Sequence, residues 1–243
     1  MSGLTSAAAE LSAHLSALQL ADSAFPSGRY TLSYGLEALA QNGVLAAPCS
    51  PEDLVVLLGD GVRLGVAPSD GVALACAHRA TGPDGRIDLE LVMRVDERLT
   101  GVKLAREARE ASARTGRALL GTAITVFGAT GMAEYAERVA AGRCPGNHAV
   151  VLGLLSASLG VPRLDAVAGE LYAVCAGWVA AAVRLALIDH RVAQGVLHRV
   201  RPVISEAAVA AADRRVTHIS GCTPLLDLMS MRHEQAELRL FAS

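Results

Sequence analysis

The chain has 243 residues, with 22 Lys+Arg against 24 Asp+Glu and a formal net charge of −2. That near-neutral balance lacks the basic face of a nucleic-acid binder, and a hydrophobic share of 52% against 19% charged residues excludes disorder over most of the chain. Aromatic residues make up only 3%, so the core has to be built from Ala, Val and Leu, while a mean hydropathy of +0.36 calls for a membrane or for apolar surface kept for protein partners.

Helical periodicity runs through nearly the whole chain. Leu4, Ala8, Leu11, Leu15 and Leu18 fall on one helical face, read as core packing, with a dimer seam as the alternative. A loop, Asp22 to Gly28, precedes a short helix from about Leu32 to Gln41 closed by Asn42-Gly43. Ser50-Pro51-Glu52-Asp53 is a helix start, with Ser as N-cap, Pro in the first turn and acids at the positive pole. That helix is predicted to stop near Val66, ahead of Pro68, with Ser69-Asp70 opening another to Arg79. Helices follow over 88–99, 103–127 and 132–141. His148 to Leu159 and Leu164 to Asp189 are apolar around most of their circumference and should form the buried centre. Asp189-His190-Arg191 reads as the polar end of the second of these, with a proton relay as the alternative. Segments 192–200, 205–217 and 225–237 complete the series. No strand alternation, repeat or composition shift intervenes, so one all-α domain of roughly ten helices is expected over 1–243, with flexible ends at about 1–8 and 236–243.

A membrane span needs about 20 mostly apolar residues. The uncharged run from Cys144 opens on Pro145-Gly146-Asn147-His148, and the run 171–183 is short and flanked by Glu170 and Arg184. The first arginine is Arg29, leaving no basic leader region. The five cysteines (Cys49, Cys76, Cys144, Cys175 and Cys222) are odd in number and include no Cys-x-x-Cys pair. They read as free thiols in a reducing compartment. A cytoplasmic protein without membrane or nucleic-acid contacts is the expectation.

No phosphate loop, nucleophile elbow, zinc-protease motif or dinucleotide fingerprint is present, and the chain holds a single lysine, Lys103. Cys144 and His148, four apart, are the weak candidates for metal ligands, since a structural site normally needs four donors. Arg199 and Arg201, and Arg214 and Arg215, suit a partner's carboxylates or phosphates, or a solvated helix face. Met229 and Met231 suit an adaptable binding surface or the core. Phe25-Pro26-Ser27-Gly28 sets a rigid turn that presents Arg29, Tyr30 and Tyr34 beside Glu37, residue types that dominate binding hot spots; core packing with satisfied hydroxyls is the other reading of the tyrosines. Arg239 and Phe241 sit in a tail suited to ordering on binding.

Two segments carry a specific resemblance. The stretch Leu18 to Glu37, with Phe25-Pro26-Ser27-Gly28 and Ser33-Tyr34-Gly35-Leu36-Glu37, and the terminus Pro224 to Ser243, with His233-Glu234 and Arg239-Leu240-Phe241-Ala242-Ser243, resemble the urease accessory protein family UreF. Arg106 to Leu120 with Ser112 and Gly116, His148 to Gly153, and Ala181 to Leu185 agree in order and spacing. Leu32, Asp189-His190 and Leu238 depart from the family pattern. The resemblance implies a non-enzymatic helical protein, likewise dimeric, that binds the UreD/UreH scaffold and the GTPase UreG and docks on apo-urease. Nickel and GTP would be handled by that complex, with no cofactor bound directly. Its implied partner-binding residues are Phe25, Pro26, Gly28, Arg29, Tyr30, Tyr34, Glu37, His233, Glu234, Arg239, Leu240 and Phe241. The competing classes are a stand-alone nickel-binding protein and a helical enzyme with dispersed catalytic groups.

Overall fold

Side-chain caps begin several helices where the sequence places them. In the computed structural model, which describes residues 2–29 and 32–234, Ser50 Oγ accepts from Asp53 N at 3.5 Å and an Asp88 carboxylate oxygen accepts from Leu91 N at 3.0 Å. Eleven α-helices are described: α1 (Ser2–Ala21), α2 (Leu36–Gln41), α3 (Pro51–Asp60), α4 (Val72–Arg79), α5 (Leu89–Val102), α6 (Arg106–Phe127), α7 (Ala133–Ala140), α8 (His148–Ser158), α9 (Arg163–Arg184), α10 (His190–Ala212) and α11 (Pro224–His233). Among the described residues there is no β-strand, and the all-α expectation holds.

The centre is built as the apolar runs imply. From His148 to Ser156 every residue of α8 is buried, and the helix packs on α4, α6 and α9. Small residues permit this closeness: a Cβ at Gly153 would strike the Leu74 carbonyl, and one at Gly116 would strike the Gly146 carbonyl. α9 packs against α10, α1 and α4. It is the one described helix long and apolar enough to cross a membrane, yet more than half of its most apolar stretch is buried inside the bundle.

The structure corrects four readings. The helix expected to end before Pro68 continues through it: α3 and α4 are joined by a π-helical segment, Gly61–Gly71, that contains Pro68. Proline has no N–H for the carbonyl four residues back, and that carbonyl, on Leu64, instead accepts from Cys222 N at 2.8 Å, while Pro68 O accepts from Ser220 N at 3.0 Å. Thus the segment before α11 is sewn onto the widened turn. The segments 192–200 and 205–217, expected as separate helices, largely merge in α10, which runs through Pro202 with buried Val200 and Ile204 on either side of it. Asp189 does not close α9; its carboxylate accepts from Arg191 N (2.7 Å) and Val192 N (2.8 Å) and opens α10, as an aspartate at that position favours. Finally, the leucine stripe of α1 is not core. Leu11, Leu15 and Leu18 are 59%, 57% and 56% exposed, and α1 turns Ala13 inward and packs Ala17 and Leu20 against the bundle instead.

Candidate functional site

The Phe25-Pro26-Ser27-Gly28 turn forms as its residues dictate. Phe25 N bonds Asp22 O at 3.1 Å, Gly28 takes a φ of +75°, and the Phe25 ring stacks on Phe127 at 6.3 Å. Pro26 and Gly28 are exposed and Phe25 half-buried. Beyond Gly28 the chain turns inward, contrary to the reading of an exposed face. Arg29 reaches Glu170 of α9, Tyr34 packs edge-on against Trp178 at 5.9 Å, and Glu37 is fully buried. Tyr30, Arg239, Leu240 and Phe241 lie outside the described residues.

Glu37 and His233, from the two segments that carry the family resemblance, meet. His233 Nε2 lies 3.0 Å from Glu37 Oε2 and its Nδ1 lies 3.0 Å from Glu107 Oε2, with side-chain exposures of 0%, 0% and 12%. Each ring nitrogen has a carboxyl oxygen within hydrogen-bond reach, so the one ring links both acids. Glu234 accepts from Glu107 N at 3.1 Å and faces Arg106 at 3.7 Å. The imidazole therefore clasps α11 to α2 and α6, and His233 and Glu234 act inside the fold rather than on a free surface. The C-terminal end of α11 is anchored here.

A second polar cluster lines a cavity of about 170 Å³ bordered by Arg29, Leu32 and Tyr34 and by the π-helical segment, α6, α8, α9 and α11. Arg29 Nη1 donates to Glu170 Oε2 at 2.7 Å and to His148 Nε2 at 3.0 Å. Because arginine only donates, His148 Nε2 is the acceptor and the proton sits on Nδ1. Burial, and then the Arg29 charge, hold this imidazole well below its usual range and keep it neutral. Burial pushes the Glu170 carboxyl up, against the opposing Arg29 charge. Lys103 Nζ bonds both oxygens of Asp70, at 2.9 and 2.7 Å. Burial opposes ionisation of Asp70, but the Lys103 charge and the hydrogen bonds from Lys103 and Ser69 prevail and lower its pKa.

His148 is set in place from behind. Asp96, fully buried, accepts from Tyr135 Oη (2.9 Å), Gly146 N (2.7 Å), Asn147 N (2.9 Å) and Asn147 Nδ2 (2.7 Å), fixing the loop that enters α8. Cys144 lies on that loop, its thiol pushed up to about 11 by burial and the Asp96 charge, which disfavours the thiolate that metal binding needs. Cys144 and His148 engage different neighbours, and among the described residues no three His, Cys, Asp or Glu side chains converge as metal ligands.

Sequence reasoning does not single out Asp70, Lys103, Ser112, Glu170 or Trp178 as lining one site. Signals existed: Lys103 is the single lysine, Trp178 the single tryptophan, and Glu170 a lone acid within an apolar run. On the outside, large apolar side chains stand free. Besides the α1 leucines, α11 exposes Leu225 (46%), Leu228 (47%) and Met231 (38%), while its Met229 is core.

The UreF family model matches residues 49–201, a span that contains Asp70, Lys103, His148 and Glu170. Urease accessory protein UreF of Trichodesmium erythraeum is 31% identical over 96% of this chain and 98% of its own length. Urease accessory protein UreF 2 of Brucella canis is 30% identical over 92% of this chain and 89% of its own. Urease accessory protein UreF of Arthrobacter sp. strain FB24 is 29% identical over 97% and 100%.

Proposed function

The chain belongs to the UreF family of urease accessory proteins, which places it in urease maturation, and from that premise we propose that it works by binding other proteins and transforms no small molecule itself. In this reading it bridges the UreD/UreH scaffold and the GTPase UreG, and the assembly docks on apo-urease and delivers nickel as cargo in the cytoplasm. Its contribution is differential binding: it holds the nucleotide-loaded GTPase in one arrangement and releases it in another. A homodimer gives the assembly a two-fold axis with isologous contacts.

The observation that carries this reading is the contrast between paired polar groups in the interior and exposed rows of large apolar side chains on α1 and α11. Arg29, Asp70, Lys103, Glu170 and His233 are turned inward and partnered, whereas Leu11, Leu15 and Leu18 on α1 and Leu225, Leu228 and Met231 on α11 are exposed. Rows of exposed large apolar side chains suit docking to other proteins. The clasp at His233 adds a fixed base for the C-terminal residues that we assign to scaffold docking, Arg239, Leu240 and Phe241. Co-purification with the scaffold and GTPase, with and without GTP and nickel, tests the proposal. The full chain is expected to be retained, and deletion of residues 239–243 to abolish retention while the helical circular-dichroism signal is kept. Retention of the truncated chain at the full-length yield would remove the tail from the interface, and failure of the full chain to bind either partner would refute the proposal.

A further inference from the structure

Arg29 uses one arm of its guanidinium and leaves the other idle. Nη1 serves both Glu170 and His148, while Nη2, buried, makes no close hydrogen bond, the Tyr34 hydroxyl being the polar group that interacts with the guanidinium besides these two. Ser112 Oγ, on the α6 wall of the same cavity, is also buried and unpartnered. A buried polar group without a partner is costly, and native structures rarely leave one so. The space of about 170 Å³ exceeds the roughly 30 Å³ share of one water several times over. Leu32, Val66, Val102, Val174 and Trp178 give the cavity apolar wall between its polar side chains, a mixture found in small-ligand sites.

We propose that this cavity is a binding site for a small monovalent oxyanion of carboxylate type, received by Arg29 Nη2 and Ser112 Oγ. A bare cation is disfavoured because Arg29 and Lys103 both face the space. A dianion is disfavoured because Glu170, Asp70 and Asp227 do. With the pairs Arg29–Glu170 and Lys103–Asp70 intact and His148 neutral, the lining carries the single formal negative charge of Asp227, half-buried on the α11 wall. An incoming monoanion is then best accommodated when Glu170 takes up a proton and frees the guanidinium charge. Burial already pushes the Glu170 carboxyl in that direction, with Arg29, His148, Lys103, Asp70 and the Tyr34 hydroxyl as the polar groups around it. Anion binding is therefore coupled to proton uptake, and affinity rises as pH falls.

Titration of the purified full chain with acetate and, separately, phosphate, followed by calorimetry and by line broadening of ¹³C-acetate, tests this. Saturable acetate binding is expected, stronger than phosphate and tighter at lower pH. Arg29→Gln should weaken it at least about tenfold and Ser112→Ala several-fold, in keeping with loss of a charge-assisted and a neutral hydrogen bond. Glu170→Gln should bind acetate more tightly than the parent and with a flatter pH dependence. Ser112→Ala removes no charge and decides the matter if Arg29→Gln does not fold. Absence of saturable acetate binding, tighter binding of phosphate than of acetate, or acetate binding indifferent to Ser112→Ala would each overturn the proposal.

Discussion

Replacing His233 by alanine is the sharpest probe of how the two ends of the sequence are held together. The ring makes two contacts of 3.0 Å, to Glu37 and Glu107, with no exposure at His233 or Glu37. Its removal leaves the buried Glu37 carboxyl without that partner, and breaking a buried pair of this kind costs about 3–5 kcal/mol. Adding Glu37→Gln in the His233→Ala background replaces the buried acid by a neutral amide and should restore about 1–3 kcal/mol. Urea unfolding at pH 7 of the parent, both single variants and the double variant gives the cycle, and hydrogen exchange over α11 reports whether the loss is local. We expect a large destabilisation by His233→Ala, a clear positive coupling with Glu37→Gln, and faster exchange in α11 than in α8. A cost below about 1 kcal/mol for His233→Ala, or additive single effects, would refute the bridging role.

Three further outcomes rest on the same geometry. Asp96→Asn turns an amide N–H₂ toward a ring of donors and should cost about 2–4 kcal/mol in chemical denaturation, with loosened exchange at Gly146 and Asn147. His148, whose folded-state pKa is depressed, stays neutral while its unfolded counterpart takes a proton near a pH of about 6.5. The unfolded state then binds more protons, so stability falls on acidification below that pH, by up to about 1.4 kcal/mol per unit. His148→Gln keeps an acceptor for Arg29 and should reduce this slope in urea unfolding measured between pH 7 and pH 5, leaving the part owed to His78, whose pKa burial also lowers. The triple change Leu11→Ser, Leu15→Ser and Leu18→Ser touches exposed positions, so thermal unfolding should shift little, while co-purification with the scaffold and GTPase should drop sharply.

Much of the helical order was legible because capping and periodicity are local. Ser50 and Asp88 start their helices where they stand, and the apolar run after His148 is the buried centre. The errors arose where a local signal met a tertiary compensation. Pro68 reads as a stop, but a π-helical turn and the Cys222 amide absorb its missing bond. Asp189 carries the same side chain at either end of a helix, and only the turn after Arg184 shows which end it serves. The α1 leucines have the spacing of a core stripe, and no periodicity can say whether the covering surface belongs to the same chain. For the polar cluster, Arg29 and His148 each stand out alone in the sequence. Their convergence with Asp70, Lys103 and Glu170 depends on five segments far apart along the chain. The motif residues Glu37 and His233 read as a surface because their chemistry suits one; burial and mutual pairing give them a structural task, that of holding α11 against α2 and α6.

The most direct test of a role in nickel delivery is the metal content of urease after reconstitution. Apo-urease would be incubated with nickel, GTP, the scaffold and the GTPase, with or without this chain, then separated and assayed for bound nickel and urea hydrolysis. The account predicts metal incorporation and activity only when the chain is present, and loss of both with the α1 triple variant. Equal nickel loading in its absence would contradict it.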